Sequence, residues 1–226
     1  MKNILLISIY FALSFCLAVF LHELGHYLMA KYLKNEDIHL SYNAVYSKAK
    51  GHQELQALYQ QYKKEIKQKK TFPQKAYFDK LTVQVRKDYY LTTVAGPLLI
   101  LLIGSLACCL LIIYPTGLKE GKSKSWILFY LATFLGAFLL EALVYLLGKG
   151  NIKQMGLVKI AEYWHLPQGF FVFVLAGLTT LALSFIFLKL LPSKQRIPIL
   201  VGAIIGIVLG YFVWFEYFGP FLLPKG

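Results

Sequence analysis

Charge is scarce in this chain, and acid scarcer still. Only 15% of the 226 residues are charged, 11 acidic against 24 basic, while 58% are hydrophobic. That balance lies far outside the range of soluble domains. A chain of this length cannot bury so much apolar surface in a core of its own, so lipid is the solvent its composition calls for. Cysteine is nearly missing: Cys16, Cys108 and Cys109 all sit within apolar runs. They read as small packing residues and exclude a disulfide framework. No A-x-A pattern follows the opening Met-Lys and its apolar run, and Leu13-Ser14-Phe15-Cys16, with a bulky Phe before Cys, is a poor lipoprotein signal. The first segment therefore reads as a retained helix. No repeat is long enough for an inverted-repeat transporter.

What is present is a series of apolar runs, and a bilayer-spanning helix needs about 20 such residues in sequence. Five runs qualify, at residues 4–33, 90–114, 126–147, 169–191 and 197–215. The expected fold is an all-α integral membrane protein of about five transmembrane helices, one membrane-embedded domain over 1–226, with one basic loop region at 34–89. The net charge of +13 does not point to nucleic acid, because the basic residues lie between the runs, where they set topology. With the amino terminus outside, 17 Lys and Arg fall on the cytoplasmic side and seven on the other. The expected setting is a bacterial cell membrane, with the carboxyl terminus inside.

Within the loop, Leu55, Leu58, Tyr59, Tyr62 and Ile66 recur at helical spacing, with Lys63, Lys64, Lys67, Lys69 and Lys70 over much of the remaining surface. This predicts a basic amphipathic helix that lies on the anionic leaflet, covers the site, or packs on its own loop. Leu81, Val83 and Val85 alternate with polar residues and predict a short strand within 79–88, able to pair with an extended peptide. Gly202, Gly206 and Gly210, four residues apart in the last run, leave bare backbone for another helix, from the same chain or a second copy.

His22-Glu23-Leu24-Gly25-His26 carries the chemistry. Positions i and i+4 share a helix face, so both imidazoles can reach one Zn2+ ion, and Glu23, one position along, can approach a metal-bound water. Zinc lowers the pKa of that water toward about 7, and a carboxylate beside it can take the proton and later return it to a leaving amine. H-E-x-x-H also arises by chance on soluble helices. Ionisable groups adjoining a membrane helix are costly, about 2.5–3.5 kcal/mol each at the centre, so a functional reading is the default here.

With HELGH ending the first apolar helix and Ala95-Gly96-Pro97-Leu98 opening a later one, the chain resembles the site-2 protease (M50) family of intramembrane zinc metalloproteases over roughly residues 4–160. Pro97 suits a first helical turn and Gly96 allows close backbone approach. The resemblance implies a peptidase with zinc on His22 and His26 near the cytoplasmic face, Glu23 as catalytic base, and a membrane-anchored or membrane-adjacent peptide substrate within the lipid bilayer. The family's Asn-x-x-Pro...Asp-Gly stretch, which supplies the third ligand, is missing. Alignment by span puts Glu141 near the family's Asn, Asn151 near its Asp, and Gly148 in place of the Pro.

Glu141 is the only acidic residue well inside the third run, and a carboxylate is a normal zinc ligand. His22 lies 18 residues into its run and Glu141 15 into one entering from the same side, a difference of about 4.5 Å along the axis. The alternative is a Glu paired with a buried polar group or facing water. His165, Glu162 and Asp88 are weaker candidates, and His39 and His52 read as surface residues. Two rivals to a protease remain: a non-catalytic immunity or transporter-accessory protein retaining the motif, and a zinc hydrolase acting on a lipid or ester.

Overall fold

Apolar residues run without proline from Lys2 to Tyr32, and they form α1. The computed structural model describes residues 2–148 and 155–224. After α1 come a β-hairpin of β1 (Glu36–Leu40) and β2 (Val45–Lys48), the short helices α2 (His52–Gln61) and α3 (Lys63–Lys67), and the long α4 (Lys75–Ile113). The third span is α5 (Ser123–Ala132), one tighter turn at Thr133–Leu135, and α6 (Gly136–Leu147). The short α7 (Gly156–Tyr163) precedes α8 (Phe170–Phe185) and α9 (Ser193–Phe212), each extended by a wider turn, and α10 (Gly219–Leu222) ends the bundle. Five of these helical stretches are long and apolar enough to cross a membrane, as the composition requires, and the protein is an all-α membrane protein.

Helix α1 is the central element, packed between α4 and α9, while α8 leans on α6 and α7. Ile100, Leu111, Phe134, Val172 and Ile186 fill the interior. Outward faces carry Leu, Ile and Phe in quantity, as a lipid-facing surface does. The glycine stripe of α9 is the seam with α1: a Cβ on Gly202 would meet Ile7, on Gly206 the Ser8 carbonyl and Phe11, and on Gly210 the Ala12 carbonyl and Phe15. Of the two partners the sequence left open for Gly202, Gly206 and Gly210, the same chain supplies one in α1.

The region between the first two spans departs from expectation in three ways. Residues 79–88 are helical, because α4 begins at Lys75 and not near residue 90. Leu81 and Val85 are 7% and 5% exposed and join Ala49 and Leu58 in a small cluster flanked by Leu55, Tyr62 and Phe78, while Val83 is 69% exposed. An i, i+2, i+4 pattern satisfies both periods, and burial of the i, i+4 pair decides for helix. Second, the amphipathic segment is α2 and α3, broken at Tyr62, and Leu55, Leu58 and Tyr62 of its apolar face pack on α4. Third, the strands are β1 and β2, paired antiparallel with His39 opposite Tyr46. Lys48 bonds Asp37 at 2.6 Å across this hairpin and holds its carboxyl below the usual range. The hairpin turn is tied to the last span by Trp214 Nε1–H donating to the Tyr42 carbonyl at 2.8 Å.

Candidate metal centre

The His-Glu pentapeptide lies in the last third of α1, where that helix crosses α4. Glycine on both helices makes the crossing close. A Cβ on Gly25 would stand 2.7 Å from the Ala95 carbonyl oxygen and 3.0 Å from Gly96 Cα, and one on Gly96 would run into the His26 imidazole and, at 2.8 Å, the His22 carbonyl oxygen. Gly96 is thus the space in which His26 sits. Ala95, Gly96 and Pro97 are buried well inside α4, so Pro97 does not occupy a first turn as the sequence suggested. Its missing N–H deprives the Thr93 carbonyl of a helix donor, at the place where α7 comes in: a Cβ on Gly156 would find Pro97 Cγ at 3.6 Å.

The two imidazoles converge, with His22 Nε2 3.1 Å from His26 Nε2. Two nitrogens on one tetrahedral zinc are about 3.3 Å apart, from bond lengths near 2.0–2.1 Å, so the separation fits a shared metal, as it also fits a direct N–H···N hydrogen bond between the rings. His26 is also oriented from behind: its Nδ1 lies 2.6 Å from the Thr92 carbonyl oxygen. A carbonyl only accepts, so Nδ1 carries the proton and Nε2 presents its lone pair, the arrangement typical of a ligating histidine. Thr92 Oγ1 donates in turn to the Asp88 carbonyl at 2.9 Å. Asn35, just beyond α1, reaches Thr92 Oγ1 at 3.5 Å and Ser47 Oγ at 3.4 Å through Nδ2, joining the hairpin to this network. Glu23 is buried beside the pair, and among the described residues no ion pair or hydrogen bond engages its carboxyl.

Glu141 stands apart from the pair. Its Oε2 is buried with no hydrogen-bond partner, and it borders, with His22, a cavity of about 710 Å³ between α1, the third span, α8 and α9. Ser14 and Thr133 add the cavity's other polar groups: Ser14 Oγ donates to the Tyr130 carbonyl at 2.9 Å and lies 3.2 Å from Thr133 Oγ1. The remaining lining is apolar, and neither Glu23 nor His26 belongs to it. Among the described residues, no three His, Cys, Asp or Glu side chains are gathered closely enough to hold a metal. The two histidines alone fit part of a zinc site, and Glu141, which shares a cavity with His22 and has an unpaired oxygen, is short of ligand distance.

Asn151 falls outside the described residues. Gly148, its neighbour in the motif reading, ends α6 in the left-handed region at φ 61°. His39 pairs with Tyr46 in the hairpin and His52 lies 3.4 Å from the Tyr89 hydroxyl, both away from the site. Sequence reading missed Thr92, Asn35 and the true role of Gly96. Thr92 acts through a backbone carbonyl, which no residue type signals; Gly96 was visible as a close-approach glycine, but its partner was not. Compared with protein-family models, curated proteins and solved structures, the chain finds no match.

Proposed function

We propose that this chain is a membrane-embedded zinc metalloprotease that hydrolyses peptide bonds of membrane-anchored or membrane-adjacent substrates. His22, His26 and Glu141 would hold the metal and Glu23 would be the base. The observation that carries this reading is the convergence of His22 and His26 Nε2 atoms at 3.1 Å, with the far side of His26 held by Thr92 and a buried carboxyl one residue along the same helix. A bound zinc would supply a polarised water and a Lewis acid for the scissile carbonyl.

The chain's own residues account for the rest. Thr92 fixes the His26 tautomer and ring plane. Glu23, held in a low-dielectric setting, accepts the proton of the attacking water and returns it to the leaving amine. For Glu141 to become a ligand, its carboxylate must move toward the histidines, which satisfies an oxygen otherwise left unpaired. A peptide must be unwound to reach the site, because helical amides are shielded from attack. The excess of basic residues on one side supports an active site near the cytoplasmic face with the amino terminus outside.

Two observations favour other readings. The almost wholly apolar cavity beside His22 suits a lipid or ester substrate of the same polarised water, and the lack of a three-ligand cluster among the described residues suits a non-catalytic relative. Membrane fractions from cells carrying wild type or Glu23→Gln separate them. Uncut membrane peptides accumulating with Glu23→Gln support the protease; altered lipids identify a lipid hydrolase; unchanged peptides and lipids, with biological function retained, identify a non-catalytic protein.

A further inference from the structure

At the end of the bundle opposite the histidines, four basic side chains line one cavity of about 590 Å³: Lys119 from the α4–α5 connection, Lys189 from the end of the α8 span, and Lys194 and Arg196 from the start of α9. Among the described residues only two ion pairs occur, Lys48–Asp37 and Lys122–Glu120, so none of the four cations lining the cavity is paired with a carboxylate. Four like charges around one space repel, and an anion relieves that. The amino-terminal turn of α9 opens onto the same cavity, with Pro192 preceding it and no side-chain cap. The Gln195 N–H donates to the Pro192 carbonyl at 2.9 Å, and the positive dipole end of the helix adds to the field. Arg196 is held across the turn by Nη2 donating to the Leu188 carbonyl at 2.5 Å, yet its Nε is buried with no partner.

One helical turn deeper, the surroundings become hydrocarbon. Leu183 and Ile186 of the α8 span, with Ile199, Leu200, Ala203 and Ile204 of α9, line the large apolar cavity within a few residues of Lys189 and Arg196 on the same two helices. The two helices are joined by a tight turn but lean on different partners, α9 on α1 and α8 on α6 and α7, and the cavity opens between them.

We propose that this end of the molecule binds one anionic phospholipid, with its phosphate among Lys119, Lys189, Lys194 and Arg196 and an acyl chain in the apolar cavity between α8 and α9. Each half excludes a different competitor. Inorganic phosphate satisfies the cations but has nothing to place in the apolar cavity; a zwitterionic lipid fills the apolar cavity and brings the same phosphate, but adds an ammonium that the cations repel. A basic pocket between membrane helices is the known physical recipe for a headgroup site. The cationic lining is separate from His22 and His26, while the apolar cavity also reaches His22 and Glu141 at its other residues.

The test is lipid retention by the full-length protein. Wild type and Lys119→Gln/Lys189→Gln/Lys194→Gln are extracted from nanodiscs of equal phosphatidylglycerol and phosphatidylcholine, and co-purifying lipid is counted by native mass spectrometry. These lysines are exposed, so the fold is expected to survive; should the triple variant unfold, the single Lys194→Gln carries the comparison. Wild type should keep one phosphatidylglycerol in preference to phosphatidylcholine by on the order of tenfold or more, and the variant should lose that preference. Glycerol phosphate and inorganic phosphate, added in excess, should fail to displace it. Equal retention of both lipids, an undiminished preference in the variant, or displacement by free phosphate would each overturn the proposal, the last by showing an anion site that takes no chain.

Discussion

Gly96 stands so close to His26 that a single methyl group on it would occupy the space of the imidazole Nε2. The helix crossing and the placement of the His26 ring are therefore one construction: the backbone of α4 is bare where the ring lies, and Thr92, one turn earlier, holds the ring from its other nitrogen. Gly96→Ala should displace His26, abolish stoichiometric zinc in purified protein and cost about 1–3 kcal/mol of stability from overpacking. Gly136→Ala, where an added Cβ meets nothing within 4 Å, should leave both unchanged. Zinc content by elemental analysis and thermal unfolding check the pair; full zinc binding by Gly96→Ala would contradict the assigned geometry.

Glu141 can be tested apart from the histidines because its two possible roles have opposite effects on the metal-free protein. An unpaired buried carboxyl oxygen costs about 1–3 kcal/mol, so Glu141→Leu should unfold at or above the wild-type temperature once a chelator has removed metal. With zinc present it should bind the ion more weakly than wild type. Lower stability without metal, with zinc affinity unchanged, would make Glu141 a structural residue whose partner lies elsewhere.

The seam between α9 and α1 predicts what a side chain on the glycine stripe does. Gly206→Val would press on the Ser8 carbonyl and Phe11, so the thermal midpoint should fall while the mass of the detergent-solubilised particle stays the same. Gly177→Ala, which meets nothing within 4 Å, is the control. A changed mass with an unchanged midpoint would show instead that the stripe joins two copies.

Residues 79–88 were the least legible part of the chain, and Val83 and Val85 show why. Both fit an alternating strand, and only the tertiary partner, Leu58 of α2, tells that Val85 is inside and Val83 outside. Val85→Asp should destabilise the region before the second span markedly, whereas Val83→Asp should be tolerated. Comparable damage from both, measured by protease sensitivity of residues 34–89, would argue against the helix.

The spans themselves could be read because lipid demands long apolar runs, and the His22–His26 face because helical spacing alone puts i and i+4 together. The glycine stripe announced a close helix contact but not its partner. Pro97 looked like a helix start because an interior proline is costly; it lies mid-helix, buried where α4 meets α1 and α7. Thr92 and Asn35 had no signal, since one works through its carbonyl and the other bridges elements distant in sequence. The hairpin at 36–48 went unread because its strands are short and polar.

Glu23 carries the central claim, and its removal is the most direct test. Wild type and Glu23→Gln, reconstituted in liposomes and shown to fold and bind zinc equally, are presented with single-span candidate substrates and the products are read by mass spectrometry. Cleavage by wild type that is reduced at least a hundredfold in Glu23→Gln is the expected result, as loss of a proton-transferring base gives about 10²–10⁴; equal cleavage by the two proteins would contradict Glu23 as the base and the mechanism built on it.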